Sequence, residues 1–151
     1  MLAKTHIAFG VLAGLVTLKF ADISNPLLFI VLVVLGVFLP DIDHAKSKIN
    51  NTLKITKIIP LFFSHRGFFH SIFAAGLVFV LLSWWLGFIY GFGLFVGYVS
   101  HLLSDALTVQ GVNFLHPVAQ FRIRGPVKTG TLSEIIIFFA VLGVDAWLLV
   151  H

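Results

Sequence analysis

The chain has 151 residues, of which 59% are hydrophobic and only 11% charged, with a net charge of +4. Soluble domains carry about 25% charged residues, and a chain of this length cannot bury so much apolar surface in one water-soluble core. The composition therefore excludes a soluble domain and predicts a single membrane-embedded domain over residues 1–151. There is no cysteine, which excludes disulfides and thiolate metal ligands.

Five apolar segments follow one another along the chain. They cover approximately residues 5–20, 26–39, 68–87, 92–107 and 132–150. A straight membrane-spanning helix needs about 20 residues, with a lower limit of about 17, so the first two segments must recruit their polar ends or lie in a thinner bilayer. We predict an all-α integral membrane protein, a bundle of about five transmembrane helices. The glycine pairs Gly10/Gly14 and Gly93/Gly97 would let helix backbones approach closely.

The basic residues lie almost entirely at one end of these segments. Lys19 is in the first loop, and the second loop, residues 87–91, carries no charge. The other nine of the ten basic residues fall at the opposite end: Lys4, Lys46, Lys48, Lys54, Lys57, Arg66, Arg122, Arg124 and Lys128. The positive-inside rule assigns that end to the cytoplasm, which predicts a multi-pass protein of the cytoplasmic (inner) membrane with its amino terminus inside. The net charge then reflects topology, and we expect no nucleic-acid partner.

The first segment also fits a signal peptide, since Lys4 precedes an apolar stretch over residues 7–18. Cleavage would remove His6, which belongs to the polar cluster described next. We therefore expect the segment to be retained as the first helix of the bundle.

Polar residues able to bind a metal gather at the predicted cytoplasmic end. They are His6, Asp41, Asp43, His44, His65, His70, His101, Asp105, His116 and Glu134. Charged and titratable groups so close to hydrocarbon are expensive and need a partner or a function. Nothing about being a membrane protein requires all six internal histidines to lie at one face.

His101 and Asp105 are four residues apart, so they project from the same face of one helix. A nitrogen and an oxygen ligand at that spacing suit zinc, with manganese or iron as alternatives. The other polar residues supply more ligands than one tetrahedral ion needs, and two ions bridged by a carboxylate would use them. Such a pair polarises a phosphoryl or acyl oxygen and activates water.

Ordinary structural explanations exist for most of these residues taken singly. His101 and Asp105 could be a hydrogen-bonded pair inside the bundle. Asp41 and Asp43 could form a turn, since Asp readily bonds its own backbone. Arg66 could simply be part of the positive-inside signal, although its guanidinium could also bind a phosphate in a bidentate manner. The functional interpretation depends on the convergence of many such residues on one face.

Other polar residues also have ordinary structural explanations. Thr131 and Glu134 have capping-box spacing, so Glu134 is either a ligand or a helix cap. His44 fits an interfacial side chain, and His116 either joins the site or lies outside it. Asp145 is expected to face the opposite interface.

With these residues in hand, the sequence resembles the YdjM-like family of membrane-bound metal-dependent hydrolases, some bacterial members of which are described as LexA-regulated. The resemblance covers nearly the whole chain. It rests on His6, Pro40-Asp41-x-Asp43-His44, His65-Arg66-Gly67 with His70-Ser71, His101-x-x-x-Asp105, and Thr129-Gly130-Thr131 before Glu134.

The resemblance implies a helical membrane protein with a hydrolase site. The family is also distantly similar to the zinc-dependent phospholipase C and S1/P1 nuclease group of all-α phosphoesterases. Matching of motifs would place zinc-ligand roles on His6, Asp41 or Asp43, His65 or His70, and His101 with Asp105. That group also has a ligating amino terminus and a further His-x-x-x-acid pair, which are not evident in this sequence.

The sequence thus predicts a metal-dependent enzyme that hydrolyses an ester or phosphoester bond of a lipid or other membrane-associated substrate at the cytoplasmic interface. We expect Asp41 or Asp43 to bridge the metals or act as general base, and Arg66 to stabilise the transition state. The predicted metal ligands are His6, Asp41, Asp43, His65, His70, His101, Asp105 and Glu134. Two alternatives are a metal-ion transporter and a non-catalytic scaffold stabilised by metal.

Overall fold

The computed structural model describes residues 1–43 and 68–151, and for residues 42 and 43 it describes only the backbone. The α-helices in these ranges are α1 (Ala3–Phe20), α2 (Pro26–Val37), α3 (Ile72–Leu86), α4 (Phe88–Ala106) and α5 (Leu132–Val150). Short 3-10 helices at Leu39–Asp43 and Phe68–His70 follow α2 and precede α3. The predicted all-α architecture is confirmed for the part of the chain that is described.

Two of these helices, α1 and α5, are long and apolar enough to cross a membrane. At about 1.5 Å per residue, the 12 residues of α2 and the 15 of α3 extend roughly 18 and 22 Å, less than the hydrocarbon thickness of about 30 Å. Helix α1 is thus longer than the apolar segment over residues 5–20 suggested, because it already begins at Ala3. Helix α2, which corresponds to the second segment, is short, as the sequence indicated.

The core of the bundle is α4, which packs against α1, α2 and α3, while α5 packs against α1. Glycines allow α2 and α4 to meet backbone to backbone. A Cβ on Gly97 would lie 1.9 Å from the carbonyl oxygen of Val33, and one on Gly36 would lie 2.2 Å from that of Leu94. The expected role of Gly97 in close helix packing is therefore confirmed.

The connection between α3 and α4 differs from the predicted loop over residues 87–91. It consists of Gly87 alone, and α4 begins at Phe88. Gly87 has a φ of +103°, a conformation that glycine adopts without the steric clash of a Cβ. One residue is therefore enough to reverse the chain.

The start of α1, the end of α2, the start of α3, the end of α4 and the start of α5 all lie at one end of the bundle. Contacts between these ends confirm that they meet. The backbone N–H of Leu2 donates to Glu134 Oε1 over 2.6 Å, and the N–H of Ile72 donates to the carbonyl of Phe114 over 2.9 Å. At the start of α3, the hydroxyl of Ser71 accepts from the N–H of Ala74, the usual N-cap contact.

Candidate metal centre

Five of the predicted ligands converge at this end of the bundle. His6 comes from the first turns of α1, Asp41 from the 3-10 helix after α2, and His70 from the 3-10 helix before α3. His101 and Asp105 come from the last turns of α4. The histidines and Asp105 are buried, with at most 4% of each residue exposed, whereas the side chain of Asp41 is 46% exposed. Asp41 therefore forms the open side of the cluster.

The carboxylate of Asp105 lies between two imidazoles. Its Oδ1 is 3.4 Å from His6 Nε2, and its Oδ2 is 3.8 Å from His101 Nε2. The amino group of Met1 lies 2.8 Å from the same Oδ1. The i, i+4 pair of α4 thus faces one point, as its spacing predicted, and the amino-terminal segment adds two nitrogen groups to that point, one from Met1 and one from His6 in α1.

Asp41 makes a second arrangement of the same kind. Its Oδ1 lies 3.7 Å from His70 Nε2 and 3.9 Å from His101 Nε2. The His70 and His101 rings are nearly perpendicular, at 71°, with centroids 5.6 Å apart. His101 Nε2 is therefore directed at both carboxylates.

Hydrogen bonds on the far side of the rings fix the tautomers of His6 and His101. His101 Nδ1 lies 2.8 Å from the carbonyl oxygen of Val37, which can only accept. His6 Nδ1 lies 2.6 Å from Ser104 Oγ, and that hydroxyl donates its one hydrogen to the carbonyl of His101. Both Nδ1 atoms must therefore donate, and each neutral ring keeps a lone pair on Nε2.

The Nε2 atoms of these two rings face carboxylate oxygens with their lone pairs. His101 Nε2 is buried and has no hydrogen-bond partner among the described residues. A lone pair facing a carboxylate is repulsive unless a cation or a proton lies between them. A histidine that binds metal through one nitrogen usually donates the other N–H to a carbonyl, carboxylate or water, and His101 has that geometry.

Asp41 lies in the 3-10 helix beyond the end of α2, and its ionisation follows from its neighbours. Burial disfavours the carboxylate, but the close approach of the His70 and His101 imidazoles outweighs this effect and holds the pKa of Asp41 below its usual range. The carboxylate is therefore ionised at neutral pH, as a metal ligand must be.

The five residues form two groups that could each hold a metal ion. One is His6, His101 and Asp105, and the other is Asp41, His70 and His101, with ligand atoms within 4.8 Å of one another in each group. Two imidazole nitrogens and one carboxylate oxygen match the ligand set of many catalytic zinc sites, which keep the fourth position open. Because His101 Nε2 belongs to both groups and one nitrogen binds one ion, these side chains can share a single ion but cannot complete two.

Several predicted site residues cannot be placed. His44, His65 and Arg66 lie outside the described residues, as does the side chain of Asp43. Their roles stay predictions. Among the described residues, His116 is in neither metal-binding group.

Glu134 is buried and makes contacts of a structural kind. Its Oε1 accepts from the N–H of Leu2, and its Oε2 accepts from the N–H of Gly130, each over 2.6 Å. The hydroxyl of Thr131 instead donates to the carbonyl of Lys128, so the reciprocal capping box does not form. The carboxylate fastens the start of α1 to the start of α5.

Asp145 is buried, with 5% exposed, so the expectation that it faces the opposite interface is wrong. Neither carboxylate oxygen has a hydrogen-bond partner within the described part of the chain. It borders a groove of about 500 Å³ between α1 and α5, beside apolar residues such as Val11 and Leu142. The rotation of α5 against α1 turns this side chain inward.

Two contributors to the site were missed at the sequence level. Ser104 is one residue before Asp105 on α4, and its hydroxyl orients His6. It had a detectable signal, because residues 101, 104 and 105 share one helix face. The amino group of Met1, by contrast, follows no spacing rule and is placed only by the packing of α1 against α4.

Comparisons with known proteins identify the family of this chain. The family described as YdjM inner membrane protein matches residues 1–150. The chain is 35% identical over 143 residues to the uncharacterized protein YvsG of Bacillus subtilis (strain 168), covering 89% of this chain and 85% of that protein. It is 38% identical over 128 residues to the inner membrane protein YdjM of Escherichia coli (strain K12), covering 76% of this chain but 63% of that protein, which is less than two thirds of its length. No solved structure shows significant similarity.

Proposed function

Because the chain belongs to the family of YdjM inner membrane proteins, we propose that it is a membrane-bound metal-dependent hydrolase. Its substrate would be an ester or phosphoester bond of a lipid or another membrane-associated molecule. The distribution of basic residues supports a cytoplasmic position for the site. A lipid headgroup at that interface would meet the cluster directly.

The observation that carries this proposal is the environment of His101 Nε2. This atom is buried and lacks a hydrogen-bond partner among the described residues, and it lies 3.9 Å from an Asp41 oxygen and 3.8 Å from an Asp105 oxygen. A hydrogen-bonded structural pair would instead direct an N–H at a carboxylate. The geometry therefore supports a cation between these groups rather than a self-sufficient polar network.

One divalent ion, which we assign as zinc, would be held by one of the two groups. These are His6, His101 and Asp105, or Asp41, His70 and His101. Imidazole and carboxylate ligands also accept manganese and iron. When bound, such an ion polarises a phosphoryl or acyl oxygen and lowers the pKa of water. A second ion would need ligands beyond the described side chains, for which Asp43 and His65 are the candidates.

The chain's own residues would then divide the remaining tasks by exposure. Three of the ligands are buried, namely His6, His101 and Asp105. The two histidines are also fixed by the hydrogen bonds of their Nδ1 atoms, so this group would position the ion. Asp41 is half-exposed and ionised, and it is the member of the cluster that a substrate can reach. As an ionised carboxylate it would serve as ligand, as hydrogen-bond acceptor or as general base on bound water. Asp43 is the second candidate for the bridge or the base, and Arg66 is the candidate clamp on a phosphate.

The location of the cluster favours an enzyme over the two alternatives. A transporter site should lie near the membrane midplane with access from both sides, whereas these ligands lie at helix ends on one side of the bundle. A structural metal site should be closed by four protein ligands. The exposed side of the cluster at Asp41 supports a site with an open position.

Turnover in mixed micelles tests the proposal. The purified protein, loaded with zinc, would be incubated with phospholipids and with isoprenoid phosphates, and release of phosphate, headgroup or fatty acid would be measured. We expect a His70→Asn variant to lose the activity and a His116→Asn variant to keep it, because only His70 belongs to the cluster. Equal activity in the two variants would contradict the proposed site.

A further inference from the structure

The segment between α4 and α5, residues 107–131, forms an ordered hairpin at the same end of the bundle as the metal centre. Val112 and Ile123 exchange two backbone hydrogen bonds of 2.9 and 3.0 Å, and the N–H of Val127 donates to the carbonyl of Leu107 over 3.0 Å. Within the turn, the side-chain amide of Asn113 donates to the carbonyls of Ala119 and Phe121 over 3.0 and 2.9 Å. We call this segment the interhelical hairpin.

The tip of the interhelical hairpin, residues 115–123, exposes large apolar side chains. Val118 is 77% exposed and Phe121 is 66% exposed, and Leu115 and Ile123 beside them are more than 40% exposed. The hairpin holds these side chains outward by backbone hydrogen bonds and does not fold them into the bundle. Ordered, exposed apolar groups of this kind mark a surface that another apolar phase covers.

Three basic residues follow the apolar side chains along the hairpin. Arg122, Arg124 and Lys128 are all exposed, and no acidic residue occurs between residues 107 and 131. None of the three has an ion pair with another residue in the described ranges. Arg122 and Arg124 are next to the exposed Phe121 and Ile123 in sequence, so cationic and apolar groups alternate. Basic residues at a membrane surface attract anionic headgroups, and exposed apolar side chains between them can insert at the boundary of headgroups and acyl chains.

We propose that the interhelical hairpin is a binding surface for anionic phospholipids. Val118 and Phe121 insert into the headgroup and acyl boundary, and Arg122, Arg124 and Lys128 bind phosphate groups. A protein partner would have to present carboxylates to the three basic residues and an apolar surface to Val118 and Phe121. An anionic lipid surface provides both, because its phosphates can bind the basic residues and its acyl chains can contact the apolar side chains. The proposal does not depend on a bound metal or on hydrolysis.

Site-directed spin labelling tests the proposal directly, because the chain has no cysteine and one introduced cysteine carries a unique label. Val118→Cys and Phe121→Cys would be labelled and reconstituted in nanodiscs of phosphatidylcholine, with or without phosphatidylglycerol. Accessibility of the label to oxygen, which concentrates in the bilayer, is compared with accessibility to an aqueous nickel chelate. A label at Thr129→Cys, an exposed polar position of the same hairpin, is the matched control.

We expect labels at positions 118 and 121 to favour oxygen several-fold over the label at 129, and to move deeper when phosphatidylglycerol is present. An Arg122→Gln, Arg124→Gln double change should abolish the effect of phosphatidylglycerol, and Arg122→Lys, Arg124→Lys should retain part of it. Raised salt should weaken the effect, because exposed charges are screened. Labels that stay in water, or that are shielded from both probes by protein, would overturn the proposal, as would equal depth in the two lipid mixtures.

Discussion

The imidazole rings of His6 and His101 are stacked, with centroids 3.9 Å apart and planes 4° from parallel. The rings come from α1 and α4, and each donates its Nδ1 hydrogen away from the cluster, to Ser104 and Val37 respectively. Two imidazolium cations stacked at this distance in a buried site would repel strongly. The stack therefore favours neutral rings, which is the form of histidine that binds metal.

The hydroxyl of Ser104 is predicted to set metal affinity through His6. Ser104→Ala removes the acceptor that fixes the His6 tautomer, so zinc affinity should fall by about 10- to 100-fold, the usual effect of losing an outer partner of a ligand. Competition with a chromogenic chelator would measure it. Ser100→Ala is the matched control, because that hydroxyl is also buried in α4 but donates to the carbonyl of Gly97. An equal fall in both variants would show that Ser104 acts through the helix and not through His6.

Replacing Glu134 by Gln separates its two predicted roles. Its carboxylate accepts from the backbones of Leu2 and Gly130, and the amide nitrogen of Gln would face one of these donors. We expect a loss of about 1–3 kcal/mol in stability, measured by thermal or denaturant unfolding in detergent, with metal content unchanged. Loss of metal at full stability would instead identify Glu134 as a ligand.

Asp145 is predicted to reduce stability, because a buried carboxyl without a partner is costly. Asp145→Leu should raise the unfolding temperature in detergent, since the neighbouring groove can accept the larger side chain. Asp145→Asn, which keeps the shape and a polar group, should raise it less. A lower unfolding temperature for both variants would indicate a partner from beyond the described residues.

The features that the sequence predicted are those that depend on local spacing or composition. The apolar segments predict helices because each lies within one stretch of chain. His101 and Asp105 are predicted to share a face because four residues is about one helical turn. Asp41 comes directly after the second segment, and so its position at that helix end also follows from the sequence.

The features that the sequence did not predict depend on how helices pack. The stack of His6 on His101 requires α1 and α4 to pack together at the level of these two residues. The sharing of His101 Nε2 by two groups requires the two 3-10 helices to bring Asp41 and His70 next to it. The burial of Asp145 depends on the rotation of α5 against α1. The single-residue connection depends on the positive φ of Gly87. The sequence did not distinguish it from a longer loop, because further glycines follow at positions 91 and 93.

The central claim, a metal ion bound through His101, is tested most directly by elemental analysis of the detergent-purified protein. His101→Asn would be measured beside His116→Asn, a histidine outside both metal-binding groups. The account predicts about one equivalent of zinc in the unchanged protein and in His116→Asn, and its loss in His101→Asn, with all three proteins eluting alike in gel filtration. Absence of metal from the unchanged protein after reconstitution with zinc, manganese or iron, or equal metal in His101→Asn, would contradict it.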